Sequence, residues 1–246
     1  MNRFFIEIEQ LQLEENVINI EGEDVKHIKD VLRLKVGDTI EALCEKVVYV
    51  CKIKSIEKTR ILLDIIDSYE GKNEAPIRLC LYQGLAKGQK MDFIIQKATE
   101  IGVSAIYPIL TNRTVVKIND MKKENKKVER WNKIALEAAK QCKRDVVPIV
   151  HNIISFEEVL HLLKNEENIL VPYEEEESIR IKDIINKFSD EKIHIIIGPE
   201  GGFESEEIDK LKEMQSQIVS LGPRILRTET AGLVAMSVLL YELGDL

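Results

Sequence analysis

The sequence predicts an α/β protein of two domains, a small all-β domain followed by a larger, mainly parallel α/β domain. Three observations predict it. Short, partly alternating β-branched segments run to about Tyr69. A polar stretch, "EGKNEAP" at 70–76, carries Gly and Pro. From Ile77 onward near-continuous apolar strands alternate with amphipathic helices. A chain of 246 residues accommodates two such cores, at roughly 100–200 residues per domain. The boundary is expected at 72/73, inside the polar stretch.

In the first domain "FFIEIEQL", "NVINI", "TIEALCE", "VVYVCKIKSI" and "RILLDIIDSY" read as strands separated by polar turns, the pattern of a small barrel or sandwich. One helix interrupts them. "EDVKHIKDVLR" puts Val25, Ile28 and Leu32 on one face and stops before the turn "KVGD". In the second domain "IRLCLYQG", "AIYPIL", "VPIV", "NILVPY", "IHIIIG" and "QIVSLG" read as strands of a sheet covered on both faces. The helices between them include "MDFIIQKATEIG", with Met91, Ile94, Ile95, Ala98 and Ile101 at helical spacing. "VERWNKIALEAAKQC" does the same with Val128, Trp131, Ala135, Ala138 and Cys142. "SFEEVLHLL" opens with a capping box from Ser155 to Glu158. The last helix, "TETAGLVAMSVLLYEL", is apolar on most faces and is expected to be deeply buried or to meet a second subunit.

Composition excludes several classes. Hydrophobic residues at 44% and charged residues at 32% describe an ordinary globular protein. No apolar run approaches the ~18 residues that span a bilayer. "MNRFFIEIEQ" lacks a signal-peptide pattern. Cys44, Cys51, Cys80 and Cys142 show neither CxxC spacing nor clustering with His, so no metal and no disulfide framework are expected. The plain expectation is a cytosolic protein with reduced thiols. The net charge of −8 speaks against nucleic acid, yet residues 113–144 hold eleven Lys/Arg and four Asp/Glu, a local +7. Such a run is either a solvated helix face or a surface for a phosphate backbone.

The stretch "IIIGPEGGFESEEID" at 195–209 runs a strand into a glycine-rich turn and an acidic helix, at the strand end where parallel sheets bind ligands. It fits neither the P-loop nor the dinucleotide fingerprint, and Glu200, Glu204, Glu206 and Glu207 would repel a phosphate. Turn geometry alone is one reading of Gly198, Gly201 and Gly202. A second loop, "LGPRILRTETAG" at 221–232, also follows a strand and precedes a helix. Two such turns side by side make a pocket whose backbone groups hold the edge of a purine, with Ile225 and Leu226 over its face.

"IGPEGGF" followed after about twenty residues by "LGPRILRTETA" resembles the paired C-terminal motifs of the bacterial 16S ribosomal RNA uracil-N3 methyltransferases. That is the ribosomal RNA small subunit methyltransferase E family, of the SPOUT (trefoil-knot) class. The similarity spans the chain: "RFF" at 3–5, "HIKDVLRLKVGD", "GLAKGQKMDFIIQKATEIGV" and "EAAKQCKR" at 137–144. Departures are confined to the linker and to "VPYEEEESIR". The resemblance implies a PUA-like RNA-binding β-barrel over 1–72 and a SPOUT α/β-knot methyltransferase domain over 73–246. It implies S-adenosyl-L-methionine bent within the knot, a homodimer, and 3-methyluridine in 16S rRNA of the small ribosomal subunit as product.

The cofactor residues so implied are Leu170, Val171 and Pro172 as one wall, Gly198, Pro199, Glu200, Gly201 and Gly202 as a second, and Leu221, Gly222, Ile225, Leu226, Arg227 and Thr228 as the third. Thr228 is also placed to cap the last helix. Arg227, Glu229 and Arg3 are the catalytic candidates: Arg227 orients a carboxylate or phosphate, and Glu229 polarises a base or fixes Arg227. An Arg227–Glu229 structural pair is the alternative. Arg3, His27, Arg33, Lys87, Lys90, Lys97, Arg113 and Arg144 are the candidates for RNA phosphates, and surface charge alone is the alternative for each. Three other functions stay open: a knotted methyltransferase with another RNA target, a non-catalytic RNA-binding assembly factor, and a phosphate-dependent hydrolase, which the carboxylates and the missing Lys disfavour.

Overall fold

Residues 1–116, 121–188 and 192–246 are described by the structure, a computed structural model of the chain. They divide into two compact units, Met1–Glu74 with Ala139–Val146 and Ala75–Ala138 with Val147–Leu246. Among the described residues no helix is long and apolar enough to cross a membrane.

The first unit holds β1 (Arg3–Phe5), β2 (Leu11–Gln12), β3 (Val17–Glu21), β4 (Thr39–Cys44), β5 (Val47–Ile56) and β6 (Arg60–Glu70). They form one sheet in the order β1-β4-β5-β6-β3-β2, antiparallel except for β1 beside β4. Two register shifts between β5 and β6 bend the sheet, as extra residues in one strand do. Helix α1 (Glu23–Lys26), continued by a wider turn to Val31, buries Val25 and Ile28 against Phe4, Ile18, Ile20, Ile40, Ile53 and Leu63. Leu32 is half-buried at its edge. The expected first strand "FFIEIEQL" breaks after Phe5. The Glu7 N–H donates to Gln10 Oε1 at 2.9 Å and the Gln10 N–H to the Glu7 carbonyl, which closes a 3₁₀ turn over Ile8–Gln10.

Residues 139–146 fall on the far side of the division expected at 72/73, yet buried charge ties them to the first unit. Arg3 donates from Nε to Glu41 Oε2 (2.9 Å), and from one terminal nitrogen to Asp145 Oδ1 (2.6 Å) and the Lys143 carbonyl (2.8 Å). The Asn73 N–H donates to Asp145 Oδ2 at 2.6 Å, and Arg144 pairs with Glu74. Lys140 pairs with Asp24 at 2.6 Å and lies over the Phe4 ring.

The second unit holds β7 (Arg78–Gly84), β8 (Ala105–Leu110), β9 (Ile149–Val150), β10 (Ile154–Ser155), β11 (Ile169–Pro172), β12 (Lys192–Ile197) and β13 (Gln217–Val219). The order is β10-β8-β7-β12-β11-β13, with β9 also beside β8, and every ladder is parallel. The helices are α2 (Lys90–Ile101), α3 (Met121–Cys142), α4 (Phe156–Leu162), α5 (Ile181–Ile184), α6 (Ser205–Glu213) and α7 (Thr228–Glu242). The two-residue period of a strand sorts the core. Leu79, Leu81, Ile193 and Ile195 face α2 and α7, while Cys80, Tyr82 and Ile196 face α4 and α6. Both faces are thus covered, which is why these strands read as unbroken apolar runs. The capping box at Ser155 forms, with Glu158 N–H on Ser155 Oγ at 3.2 Å. Helix α7 buries Gly232, Ala235, Met236, Leu239 and Leu240, packs the partly buried Leu233 and Val238 against the same core, and leaves Tyr241 exposed.

His194 stands in β12 at 1% exposure, beside Tyr82, with Glu166 Oε2 3.2 Å from Nε2 but poorly aligned for a hydrogen bond. Burial, then the charge of Lys192, push its pKa below the ordinary 6.5, and Glu166 only partly offsets them. Burial depresses His151 as well. The unfolded chain therefore takes up these protons first, so stability is full above about pH 6.5 and declines as the pH falls below it. Urea midpoints at about pH 7.5 and about pH 5.5 should drop for the native chain and drop less for His194→Phe. Equal losses in the two proteins would refute this.

Candidate functional site

The ends of β7 and β12 and the start of α7 converge. A Cβ on Gly84 would fall against Pro199 N and 2.6 Å from the Gly198 carbonyl carbon, so the two strand ends touch backbone to backbone. Gln83 is fully buried, and its Nε2 donates to Thr228 Oγ1 at 2.8 Å. Thr228 Oγ1 in turn donates to the Gly198 carbonyl at 2.6 Å. The expected helix cap is thereby corrected: Arg227 holds the N-cap position of α7, without a side-chain cap, because the Thr228 hydroxyl is committed to another loop.

At the GPEGG turn, Glu200 Oε1 accepts the Lys87 N–H at 3.1 Å and pairs with Lys90 Nζ at 3.1 Å. Burial pushes the Glu200 carboxyl up, but the Lys87 N–H, its own N–H and Lys90 outweigh it, and it titrates below the usual carboxylate range. Lys90, raised by its Glu200 hydrogen bond, also stands 3.4 Å from Glu229 Oε2 without completing a hydrogen bond. Glu204 and Glu207 are spent at the head of α6. Asn112 donates to both, and the Glu204 N–H donates to Glu207 Oε2 at 2.9 Å. The glycines of this turn face protein. A Cβ on Gly202, at φ 69°, would strike Glu174, and one on Gly201 would lie 3.0 Å from Arg113 Cβ.

A cleft of about 420 Å³ opens instead between the loops that follow β11 and β13. Pro172, Leu221, Gly222, Ile225 and Leu226, all named from the sequence, are among its lining residues. Gly222, at φ 110°, has open space where a Cβ would point. Leu170 and Val171 do not line it, because a strand inside the sheet points each into a core layer. Gly198, Pro199, Glu200, Gly201 and Gly202 do not line it either, since their turn packs on the end of β7 and on Arg113. The walls of this cleft are 172–180 and 220–226. Ile225, at the cleft's edge, is 86% exposed.

Sequence reasoning missed Tyr173, Glu174, Glu176, Glu177, Arg180 and Arg224 on the cleft walls. The available signal was position: "YEEEES" starts at the carboxyl end of a parallel strand. Burial and Glu175 push the Tyr173 phenol up to about 12, so it remains a donor and not a base.

Arg227 is exposed and finds no side-chain partner among the described residues, so the alternative Arg227–Glu229 pair does not form. The other basic candidates separate by burial. Arg3 and Arg144 are each 4% exposed and held in ion pairs, which takes both out of contention as solvent-facing phosphate ligands. His27 is half-buried with its ring edge on Phe4, and Arg33 is exposed. In the second unit Lys97 pairs with Glu100, Lys90 with Glu200, and Arg113 donates to the Gly201 carbonyl, while Lys87 is exposed. Of the +7 run, Arg130 is offset by Asp92 from outside it, while Lys127 pairs with Glu124 within it. Lys117 and Asp120 of that run, and the side chains of Lys122 and Lys123, lie outside the described residues.

A family model described as an RNA methyltransferase domain matches residues 73–240, and one described as an RNA methyltransferase PUA domain matches residues 20–66. The chain is 39% identical to the ribosomal RNA small subunit methyltransferase E of Bacillus subtilis (strain 168), over 98% of this chain and 97% of that one. It is 32% identical to the protein of that name from Mesomycoplasma hyopneumoniae (strain 232), over 96% and 98%. The crystal structure of a ribosomal RNA small subunit methyltransferase E from Neisseria gonorrhoeae bound to S-adenosyl methionine superimposes with a TM-score of 0.86 at 30% identity, covering 98% of each chain.

Proposed function

The chain belongs to the ribosomal RNA small subunit methyltransferase E family, and on that premise we propose that it methylates N3 of one uridine in 16S rRNA with S-adenosylmethionine as donor. The observation that supports the donor site best is the cleft between 172–180 and 220–226. Its volume of about 420 Å³ suits a nucleoside-sized ligand. The residues fit such a ligand: Leu221, Leu226 and Ala231 offer apolar surface, and Gly222 leaves its backbone open. When bound, the donor supplies a methyl group on a sulfonium that leaves as a neutral thioether.

What the chain contributes is placement. The loops around Gly222 hold the nucleoside, and Arg227, exposed and unpaired, orients a carboxylate or an RNA phosphate. Glu229, held near Lys90, polarises the group that takes the N3 proton. In-line placement of N3 then accounts for much of the rate. His27, Arg33, Lys87 and Arg113 are the proposed phosphate contacts, with Lys90 and Lys97 available on exchange of their carboxylate partners. Residues 1–72 are proposed as a closed PUA-like barrel that binds RNA, and 73–246 as the knotted catalytic domain. The knot is supported by the course of the chain: it leaves β13 at the edge of the sheet, yet α7 packs on β7 and β12 at its centre. The half-exposed Val234 and the exposed Tyr241 support a homodimer through α7. A cytosolic location follows from the substrate.

Treating unmodified small subunits with the protein and donor, then extending a primer, tests the substrate. N3 methylation blocks Watson–Crick pairing, so reverse transcriptase should stop at one new uridine. A stop at another base type, or none, would reject the assignment.

A further inference from the structure

We propose that Gln83 is a positioning residue for the methyl donor, acting through the Thr228 hydroxyl on the Gly198 carbonyl and on the first turn of α7. The inference rests on the donor site proposed above. Gln83 lies on β7, which contributes no residue to the cleft. Its effect is transmitted by proton bookkeeping along a chain of three residues.

The single hydroxyl proton of Thr228 goes to the Gly198 carbonyl at 2.6 Å, so its oxygen must accept. That fixes the Gln83 amide with Nε2 toward Thr228, at 2.8 Å, and its second N–H reaches the Gly84 carbonyl at 3.1 Å. Both amide protons are used. Among the described residues the carbonyl Oε1 is then left buried with no partner, 3.4 Å from where a Cβ on Gly232 would stand. A buried acceptor without a partner costs free energy, and an apolar side chain of the same size would remove that cost. Stability alone therefore does not account for a glutamine here.

Position does. Thr228 sits between Leu226 and Ala231, both of which line the cleft. Holding its hydroxyl holds that wall at a fixed height above the sheet, and ties it to the end of β12 through Gly198. The device spares the donor the cost of ordering the loop.

Calorimetric titration of the full chain with S-adenosylhomocysteine, well below each protein's unfolding temperature, tests this. Gln83→Leu and Thr228→Val should each weaken binding about tenfold, and the double variant no more than either alone, since both break one chain. Thr228→Ser, which keeps the hydroxyl, should bind within about twofold of the native chain. In turnover, KM for the donor should rise more than kcat falls. Native-like binding by both Gln83→Leu and Thr228→Val overturns the inference, as does a Thr228→Ser variant as weak as Thr228→Val. If Gln83→Leu does not fold, the Val and Ser pair at 228 decides alone. Failure of the native chain to bind at all refutes the donor site itself, and this inference with it.

Discussion

Arg3→Met should lower the unfolding free energy by about 3–5 kcal/mol, the loss typical when one partner of a buried ion pair is removed. Arg3, Glu41 and Asp145 have side chains no more than 8% exposed, and the one guanidinium pairs with both carboxylates. Methionine matches the stem but leaves two buried acids, with the Tyr69 hydroxyl, at 3.3 Å from Glu41, and the Asn73 N–H as their remaining donors among the described residues. Arg3→Lys retains the charge but not the fork that serves Glu41 and Asp145 together, and should lose less. Chemical denaturation followed by far-ultraviolet circular dichroism measures both. A loss under about 1 kcal/mol for Arg3→Met would mean that water or rearranged side chains replace the guanidinium at little cost.

Gly84→Ala should cost about 3 kcal/mol and abolish donor binding, although it adds one methyl group. Gly84 does not carry a positive φ, so the effect is steric alone. The methyl would meet the backbone of Gly198 and Pro199, which has no rotamer to change, and β7 and β12 would have to part. That separation pulls Gly198 away from Thr228 and breaks the chain of bonds to Gln83. Gly88→Ala is the internal control. Gly88 has open space for a Cβ but sits at φ 66°, so its cost comes from the backbone and should stay near 1 kcal/mol without loss of binding. Equal effects at both positions would show that local conformation, not the contact between strand ends, decides.

Much of the architecture was legible because its signals are local. Unbroken apolar runs such as "IHIIIG" became central parallel strands, and the Ser155–Glu158 spacing became a working cap. What was not legible depends on partners distant in sequence. Thr228 reads as an N-cap, and only the approach of Gly198 and Gln83 gives its hydroxyl other work. Arg3 and Arg144 read as surface cations until Glu41, Glu74 and Asp145 are brought to them. Of the cleft's lining, Pro172 and residues of 221–226 were named from the sequence, and 173–180 were not. The GPEGG turn packs closely on Gly84, Arg113 and Glu174, and glycine composition alone does not name such neighbours.

The wiring of Arg3 also has a temporal side. A ribosome releases residues 1–74 well before it reaches Asp145, and about seventy further residues at roughly 5–20 per second take on the order of ten seconds. During that interval the nascent N-terminal sheet carries a cation whose second counter-ion has not yet been synthesised. The Arg3–Asp145 pair therefore forms only after the middle of the polypeptide emerges.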